Sequence, residues 1–489
     1  MPAPLRICFV ASEVAPLAKT GGLADVSGAL PRYLHSRNYD VRLIMPLYSR
    51  IDTRALDMHP VEFLQQLPLA LGAHRFQFSV FTAPLPGSSL MIYLVHCPAL
   101  YDRPGIYTGA ADEHLRFLLL TRAAIEICQR MGFAPHIFHC NDWHTAFAPL
   151  YLRSTYSWDR LFSATRTVLT IHNIGYQGIF TASAASDLAL GASSHLLHQD
   201  DLRQGRINSL KHGILYADAV TTVSPTYARE ITTEAYGMGL EATLRQRPGG
   251  VIGILNGVDY TEWNPGTDRF IPHHFDADDL SGKEKTKQYL LRTLKLRYDA
   301  RRRTPLLGMV SRLTAQKGFD LLFDPLPRIL RERPLRVVAL GSGDARYEEF
   351  FARLQHTFPA QVVYHRGYHE ELAHLIEAAS DMFIMPSLYE PCGLNQMYSL
   401  RYGTVPIVRR TGGLADSVQL YDPDTGSGTG IVFTDYNAAG VTWAINAALE
   451  LYQDRAVWSR IQRQGMAQDF SWEKQGAHYL ELYARMVPS

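Results

Sequence analysis

The stretch that decides the fold is Ile7-Cys8-Phe9-Val10, followed after a short loop by Lys19-Thr20-Gly21-Gly22-Leu23-Ala24-Asp25. A short apolar run bounded by turn residues reads as a strand buried on both faces. Beyond the glycines, Leu23, Val26, Leu30, Tyr33 and Leu34 recur at a helical period and share one face. The unit is strand, glycine loop, helix. Working outward, further strands are expected at Val41–Met45, Phe78–Phe81, Met91–Val95, Ile137–His139, Val168–Ile171 and Ala219–Val223. In the second half they fall at Ile252–Leu255, Leu306–Val310, Val337–Leu340, Val362–Tyr364, Met382–Met385 and Val405–Val408. Helical stretches separate them, which predicts parallel sheets covered by helices on both faces. The hexapeptide recurs as Thr411-Gly412-Gly413-Leu414-Ala415-Asp416, again after a strand. Two such glycine loops read either as strand-to-helix turns that need small residues or as ligand loops at the carboxyl ends of two sheets.

A chain of 489 residues is long for one hydrophobic core and suggests roughly two to four domains. Arg247-Pro248-Gly249-Gly250 interrupts the pattern near the middle and reads as a hinge. The expected architecture is α/β, two doubly wound Rossmann-like domains spanning 1–250 and 251–470. Ser471–Met486 reads as a final helix, with Trp472, Tyr479, Leu482, Tyr483 and Met486 on one stripe.

Composition narrows the function classes. Lys plus Arg number 48 and Asp plus Glu 47, for a net charge of +1, with no basic run of the kind a nucleic-acid binder carries. Apolar residues at 46% suit a globular chain. No stretch approaches the roughly 18 apolar residues of a membrane span. Ile7–Val10 is too short for a signal peptide. The five cysteines, at 8, 97, 128, 140 and 392, form no CxxC pair, which fits reduced thiols and a cytoplasmic protein.

Five loops that follow strands carry the chemistry. Lys19 stands just before the first glycines, where backbone N–H groups of a helix start attract anions. Ser311-Arg312-Leu313-Thr314-Ala315-Gln316-Lys317-Gly318 offers a guanidinium fork and an ammonium, a pair suited to a diphosphate. Pro386-Ser387-Leu388-Tyr389-Glu390-Pro391-Cys392-Gly393-Leu394-Asn395 reads as a rigid turn into a helix. Glu390 there can accept sugar hydroxyls or cap the helix. Asn141-Asp142-Trp143-His144 and His172-Asn173-Ile174-Gly175-Tyr176-Gln177-Gly178 place polar groups at two more strand ends, as recognition of a polyhydroxylated ligand requires.

Taken in order, these motifs, with Asp102-Arg103-Pro104-Gly105, Asn256-Gly257-Val258-Asp259 and Arg409-Arg410-Thr411-Gly412-Gly413, resemble the bacterial glycogen synthase and plant starch synthase family of retaining glucosyltransferases over nearly the whole chain. The resemblance implies a GT-B fold, with the two Rossmann-like domains facing a deep interdomain cleft and the last helix, within 471–489, returning to the N-terminal domain. It implies transfer of glucose from ADP-glucose to the non-reducing end of an α-1,4-glucan such as glycogen, with no cofactor and neither nucleic-acid nor membrane partners. By motif position, Asp142, His172, Glu390, Arg312 and Lys317 are catalytic. Lys19, Gly22, Asp25, Asn173, Asn256, Tyr368, Cys392, Gly393, Leu394 and Asn395 bind donor or substrate, with Tyr368 expected to stack on the base.

Two departures stand out. Related transferases of this fold often carry a second Glu eight residues after the first. Here that position is Tyr398, as in the synthases. Asn395 stands where bacterial synthases commonly have Thr, beside the expected donor phosphates. No sequence-local pair of carboxylates resembles that of a retaining glycosidase, and the family resemblance implies attack on the donor's own face. Asp276-Ala277-Asp278 has an Asp-x-Asp form, but its polar surroundings read as a surface loop and no metal is expected. His365 and His369 lack the glutamate of a HExxH zinc motif. The competing readings are a glucan phosphorylase, which would need a longer chain and lysine-bound pyridoxal phosphate, another retaining hexosyltransferase, and a non-catalytic glucan-binding scaffold.

Overall fold

The computed structural model describes residues 4–298 and 303–487, so the tips of the two terminal expectations, 1–3 and 488–489, lie outside the described residues. The chain divides into two compact units, Met1–Gly257 with Trp472–Ser489, and Val258–Ser471. The chain leaves the first unit seven residues beyond Gly250, because Ile252–Gly253 still pairs with Ala219–Thr222.

The first unit holds β1 (Arg6–Val10), β2 (Asp40–Pro46), β3 (His59–Pro60), β4 (Leu67–Leu71), β5 (His74–Pro84), β6 (Met91–His96), β7 (Ile137–Asn141), β8 (Arg166–Ile171), β9 (Ile179–Thr181), β10 (Arg206–Asn208), β11 (Ala219–Thr222) and β12 (Ile252–Gly253). Its main sheet runs β12-β11-β8-β7-β1-β2-β6-β5-β3, with β4 on β5. From β12 to β6 every pairing is parallel. Beyond β6 the sheet turns antiparallel, which departs from the all-parallel expectation. The physical reason is visible in β4. Leu67, Leu69 and Leu71 are buried while Pro68 and Ala70 are exposed, so one face meets water and no crossover helix is needed.

The second unit holds β13 (Leu306–Val310), β14 (Arg336–Gly341), β15 (Val362–Arg366), β16 (Met382–Met385), β17 (Val405–Arg409) and β18 (Ile431–Phe433). Their order, β15-β14-β13-β16-β17-β18, is that of a dinucleotide-binding fold, and every pairing is parallel. Leu307, Ile384 and Ile407 from the sheet pack with Phe351 and Trp458 from the covering helices.

The helix Trp472–Met486 packs within the first unit. Gly476 admits the Tyr33 ring, since a Cβ there would stand 2.3 Å from it. The Tyr483 hydroxyl meets His139 Nδ1 at 2.6 Å, and Glu473 pairs with Arg37. Among the described residues, no helix is long and apolar enough to cross a membrane.

Candidate functional site

In an open α/β sheet, ligands bind beyond the carboxyl ends of strands where the strand order reverses. In the first unit that point lies at β1, flanked by β7 and β2. The loops after β1 and β7 carry Lys19 and Asp142. In the second unit it lies between β13 and β16, whose following loops carry Arg312, Lys317 and Glu390.

After β1, Gly21 caps the helix Gly22–Ser36. A Cβ at Gly21 or Gly22 would meet nothing within 4 Å, so the backbone is open to a ligand. Lys19 Nζ pairs with Asp25 Oδ1 at 2.6 Å, which aims the ammonium along the first turn. The loop is held from below by Glu13, which is 2% exposed. Its carboxylate accepts from the backbone N–H of Thr20, from Thr20 Oγ1 at 2.7 Å and from the Tyr107 hydroxyl at 2.5 Å. Glu13 and Tyr107 were not foreseen. Glu13 sits at a strand end, which is a usable signal, but its partner is 94 residues away.

After β7, Asp142 adopts a left-handed backbone, φ 52°, rare for a residue with a Cβ. This conformation turns its buried carboxylate toward the end of β8. There Oδ1 accepts from the N–H of His172 at 2.7 Å and of Asn173 at 3.3 Å. Burial pushes the Asp142 carboxyl up to about 7, against the lowering effect of those two N–H groups. The side chain of Asn141 donates to Val10 O at 3.0 Å, so its Oδ1 is left to accept from His172 Nε2 at 2.9 Å. That assigns the His172 proton to Nε2 and leaves a lone pair on Nδ1. Buried Nδ1 has no hydrogen-bond partner among the described residues. Burial also lowers the His172 ring to about 3, so it is neutral. Asn173 uses Oδ1 to accept from Gly175 N at 2.9 Å, tightening its own turn. His144 instead packs into an aromatic cluster, stacked on Tyr107 and edge-on to Phe117.

Beside this edge, Trp143, Gly175, Tyr176, Gln177, Gly178, Ile179 and Met238 line a cavity of about 430 Å³. Gly178 is required there, since at φ 60° a Cβ would stand 2.2 Å from the Trp143 ring. Tyr176 and Ile179 are more than half exposed at its rim.

In the second unit, the loops after β13 and β16 are locked together. The Leu388 N–H donates to Gln316 O at 2.8 Å, and Gly318, at φ 69°, lies so close to Pro386 that a Cβ would stand 2.1 Å from its carbonyl. This brings Lys317 Nζ to 2.7 Å from Glu390 Oε2, which also accepts from Ser387 Oγ at 2.9 Å. Arg312 is exposed at the other end of the same loop. Cys392 is buried, and Gly393 turns the chain at φ 70° into the helix Asn395–Arg401, capped by Leu394. Asn395 Nδ2 donates to Val310 O at 3.0 Å, tying the helix start to the end of β13.

The remaining expected residues sit apart. Tyr368 is 70% exposed in the turn after β15. Asn256, 4% exposed, lies in the last residues of the first unit's opening segment, and its Oδ1 has no partner among the described residues. Asp276 spends Oδ1 on the N–H groups of Asp278 and Asp279, both at 2.9 Å, as a turn does. His369 Nδ1 caps the helix Glu370–Ala379 through Leu372 N. The two copies of the glycine hexapeptide differ in use. At Gly412 and Gly413 a Cβ would stand 1.9 Å from Glu390 O and 2.2 Å from Cys392 O. The second copy is therefore a packing seat under the Glu390 turn, whereas the first is open.

Residues 6–246 match the family described as the starch synthase catalytic domain, and residues 295–465 match the glycosyl transferases group 1. The chain is 44% identical to a glycogen synthase of Koribacter versatilis (strain Ellin345), over 98% of either chain. It is equally identical, 44%, to a glycogen synthase of Thioalkalivibrio sulfidiphilus (strain HL-EbGR7), over 99% of this chain and 100% of that one. A solved structure of the catalytic domain of starch synthase IV from Arabidopsis thaliana, bound to ADP and acarbose, superposes with a TM-score of 0.91 at 35% identity. It covers 99% of this chain and 100% of that one.

Proposed function

The chain belongs to the glycogen and starch synthase family of glucosyltransferases, and on that premise we propose that it elongates an α-1,4-glucan such as glycogen, using ADP-glucose and retaining the anomeric configuration. Its fold is the GT-B pair of Rossmann-like domains. The observation that carries the donor assignment is the Lys317–Glu390 pair beside exposed Arg312, at the strand-order reversal of the second unit.

In this reading Arg312 and Lys317 bind the diphosphate. As the glucosyl C1–O bond breaks, its electron pair passes to the phosphate oxygen and the diphosphate gains negative charge. Cations already fixed there stabilise that charge with little reorganisation. The acceptor hydroxyl oxygen bonds to C1 on the face the phosphate leaves, and its proton passes to a phosphate oxygen. In the first unit Lys19, beside open Gly22 and held by Asp25, is a cation suited to an anion. Gly393, Leu394 and Asn395 shape the turn against the phosphate, and Cys392 packs beneath it. Tyr368 stacks on the base.

His172 Nδ1 is a buried acceptor suited to a sugar hydroxyl, and Asp142 shapes the same corner. Asn173 and Asn256 add amide groups for hydroxyls. The cavity lined by Tyr176 and Trp143 suits the apolar face of a glucose ring. The five cysteines are buried and free of disulfides, which supports a cytoplasmic location.

The test is glucose incorporation into glycogen from ADP-glucose and UDP-glucose side by side. Higher kcat/KM with ADP-glucose is expected. Equal or higher kcat/KM with UDP-glucose refutes the donor assignment, and no incorporation from either refutes the transfer itself.

A further inference from the structure

The transfer reading makes no use of a cluster on the second unit's helix Glu370–Ala379. Its centre is His374, fully buried and stacked on Trp263 with ring centroids 3.8 Å apart. His374 Nδ1 stands 2.8 Å from Asp268 Oδ2. Asp268 is itself fixed by the Tyr402 hydroxyl at 2.6 Å and by Phe270 N at 2.8 Å. A carboxylate that accepts a hydrogen bond from Nδ1–H fixes the proton there and leaves a lone pair on Nε2. Buried Nε2 has no hydrogen-bond partner among the described residues.

Two exposed carboxylates gather around this ring. The ligand atoms of Glu262, Glu370 and His374 all lie within 4.8 Å of one another. Glu370 precedes His374 by four residues on one helix, so their side chains share a face. We propose that Glu262, Glu370 and His374 bind one divalent cation of the zinc class.

The chemistry fits that class. One imidazole and two carboxylates make a borderline donor set without thiolate, suited to zinc. Zinc bonds of about 2.1 Å set neighbouring ligand atoms about 3.5 Å apart. The two glutamates are exposed, so the contraction falls on them and not on the buried imidazole. The Asp268–His374 bond supplies the outer carboxylate that commonly fixes the tautomer and orientation of a metal-binding histidine. Such a cation tethers the loop bearing Glu262 to the helix bearing Glu370, and so adds to stability.

The experiment uses the full chain, stripped with chelator and dialysed. Zn²⁺ is titrated calorimetrically, and thermal melts are run with and without it. Co²⁺ is added separately to read its visible absorption. The wild type is expected to take one equivalent of Zn²⁺, gain about 5 °C in Tm at saturating metal, and show Co²⁺ bands of a low-symmetry N/O site. Glu262→Gln with Glu370→Gln, both at exposed positions, is expected to keep its far-UV circular dichroism and weaken Zn²⁺ binding at least about a hundredfold. No stoichiometric binding by the wild type overturns the proposal. So does unchanged Zn²⁺ affinity or an unchanged Co²⁺ spectrum in the double variant, since that places the metal on other surface groups.

Discussion

Lys317 Nζ lies 2.7 Å from Glu390 Oε2, and both side chains are largely buried, at 17% and 6% exposure. Lys317, the proposed donor cation, therefore has an internal counter-charge. Arg312, five residues earlier, is exposed. The two cations should consequently fail differently. Arg312→Ala is expected to lower kcat/KM by at least about a hundredfold while leaving Tm unchanged. Lys317→Ala should lose activity to a similar degree and also lose about 3 kcal/mol of stability, because Glu390 is left buried and unpaired. Steady-state kinetics and thermal melts on the two variants check this, and equal melting temperatures would contradict it.

Asp142 links stability to pH, and on the proposed role activity as well. Burial raises its folded-state pKa to about 7 from an ordinary 3.8. The folded state then binds the proton more tightly than the unfolded state between those values, so the side chain's contribution to stability falls as pH rises from about 4 to 7. Above pH 7 the buried charge is carried in full. Asp142→Asn removes that charge and keeps an oxygen to accept from His172 and Asn173. It is expected to raise stability by on the order of 2–4 kcal/mol at pH 8, with little change at pH 4, and to lower kcat at both. Melts across pH 4–8 test the sign.

Tyr368 is 70% exposed and stands in the turn after β15. An exposed ring contributes little to the fold, so Tyr368→Ala should melt like the wild type. If the ring stacks on the base, the KM for ADP-glucose should rise about tenfold, within the range of aromatic–base stacking, with kcat nearly unchanged. Tyr368→Phe should restore the wild-type KM. An unchanged KM in the alanine variant removes Tyr368 from the donor site.

Much of this was legible because strand ends are legible. Runs such as Leu306–Val310 and Met382–Met385 announce strands, and polar groups just after them announce a site. The antiparallel extension through β4 and β5 was less so, since Leu67–Leu71 alternates over only five residues and includes a proline. Glu13 stayed hidden because its role comes from Tyr107, brought beside it by the sheet. The Glu262–Glu370–His374 group is invisible for the same reason, with Glu262 more than a hundred residues from its partners. Asn395 looked like a donor contact, and the structure adds a tether to Val310 that spacing alone could not suggest.

The repeated hexapeptide shows the limit most directly, and yields the last prediction. Thr20–Asp25 and Thr411–Asp416 carry identical residues, so sequence alone gives them one meaning. The structure gives them two. Gly22 has open space where a Cβ would go, whereas at Gly412 and Gly413 a Cβ would collide with the carbonyls of Glu390 and Cys392. Gly412 also sits at φ 44°, which a side chain tolerates poorly. Backbone carbonyls in a packed turn cannot give way by the ångström or more that would be needed. Gly413→Ala is therefore expected to destabilise the protein by more than about 2 kcal/mol, with displacement of the Glu390 turn lowering activity as well. Gly22→Ala should melt within about 0.5 kcal/mol of the wild type. Its cost should appear only when an anion approaches that backbone, as a several-fold rise in the KM for ADP-glucose. Denaturant melts and donor-saturation kinetics on the pair separate the two roles. A stable Gly413→Ala, or a Gly22→Ala variant with unchanged KM, would show that the copies do not divide the work in this way.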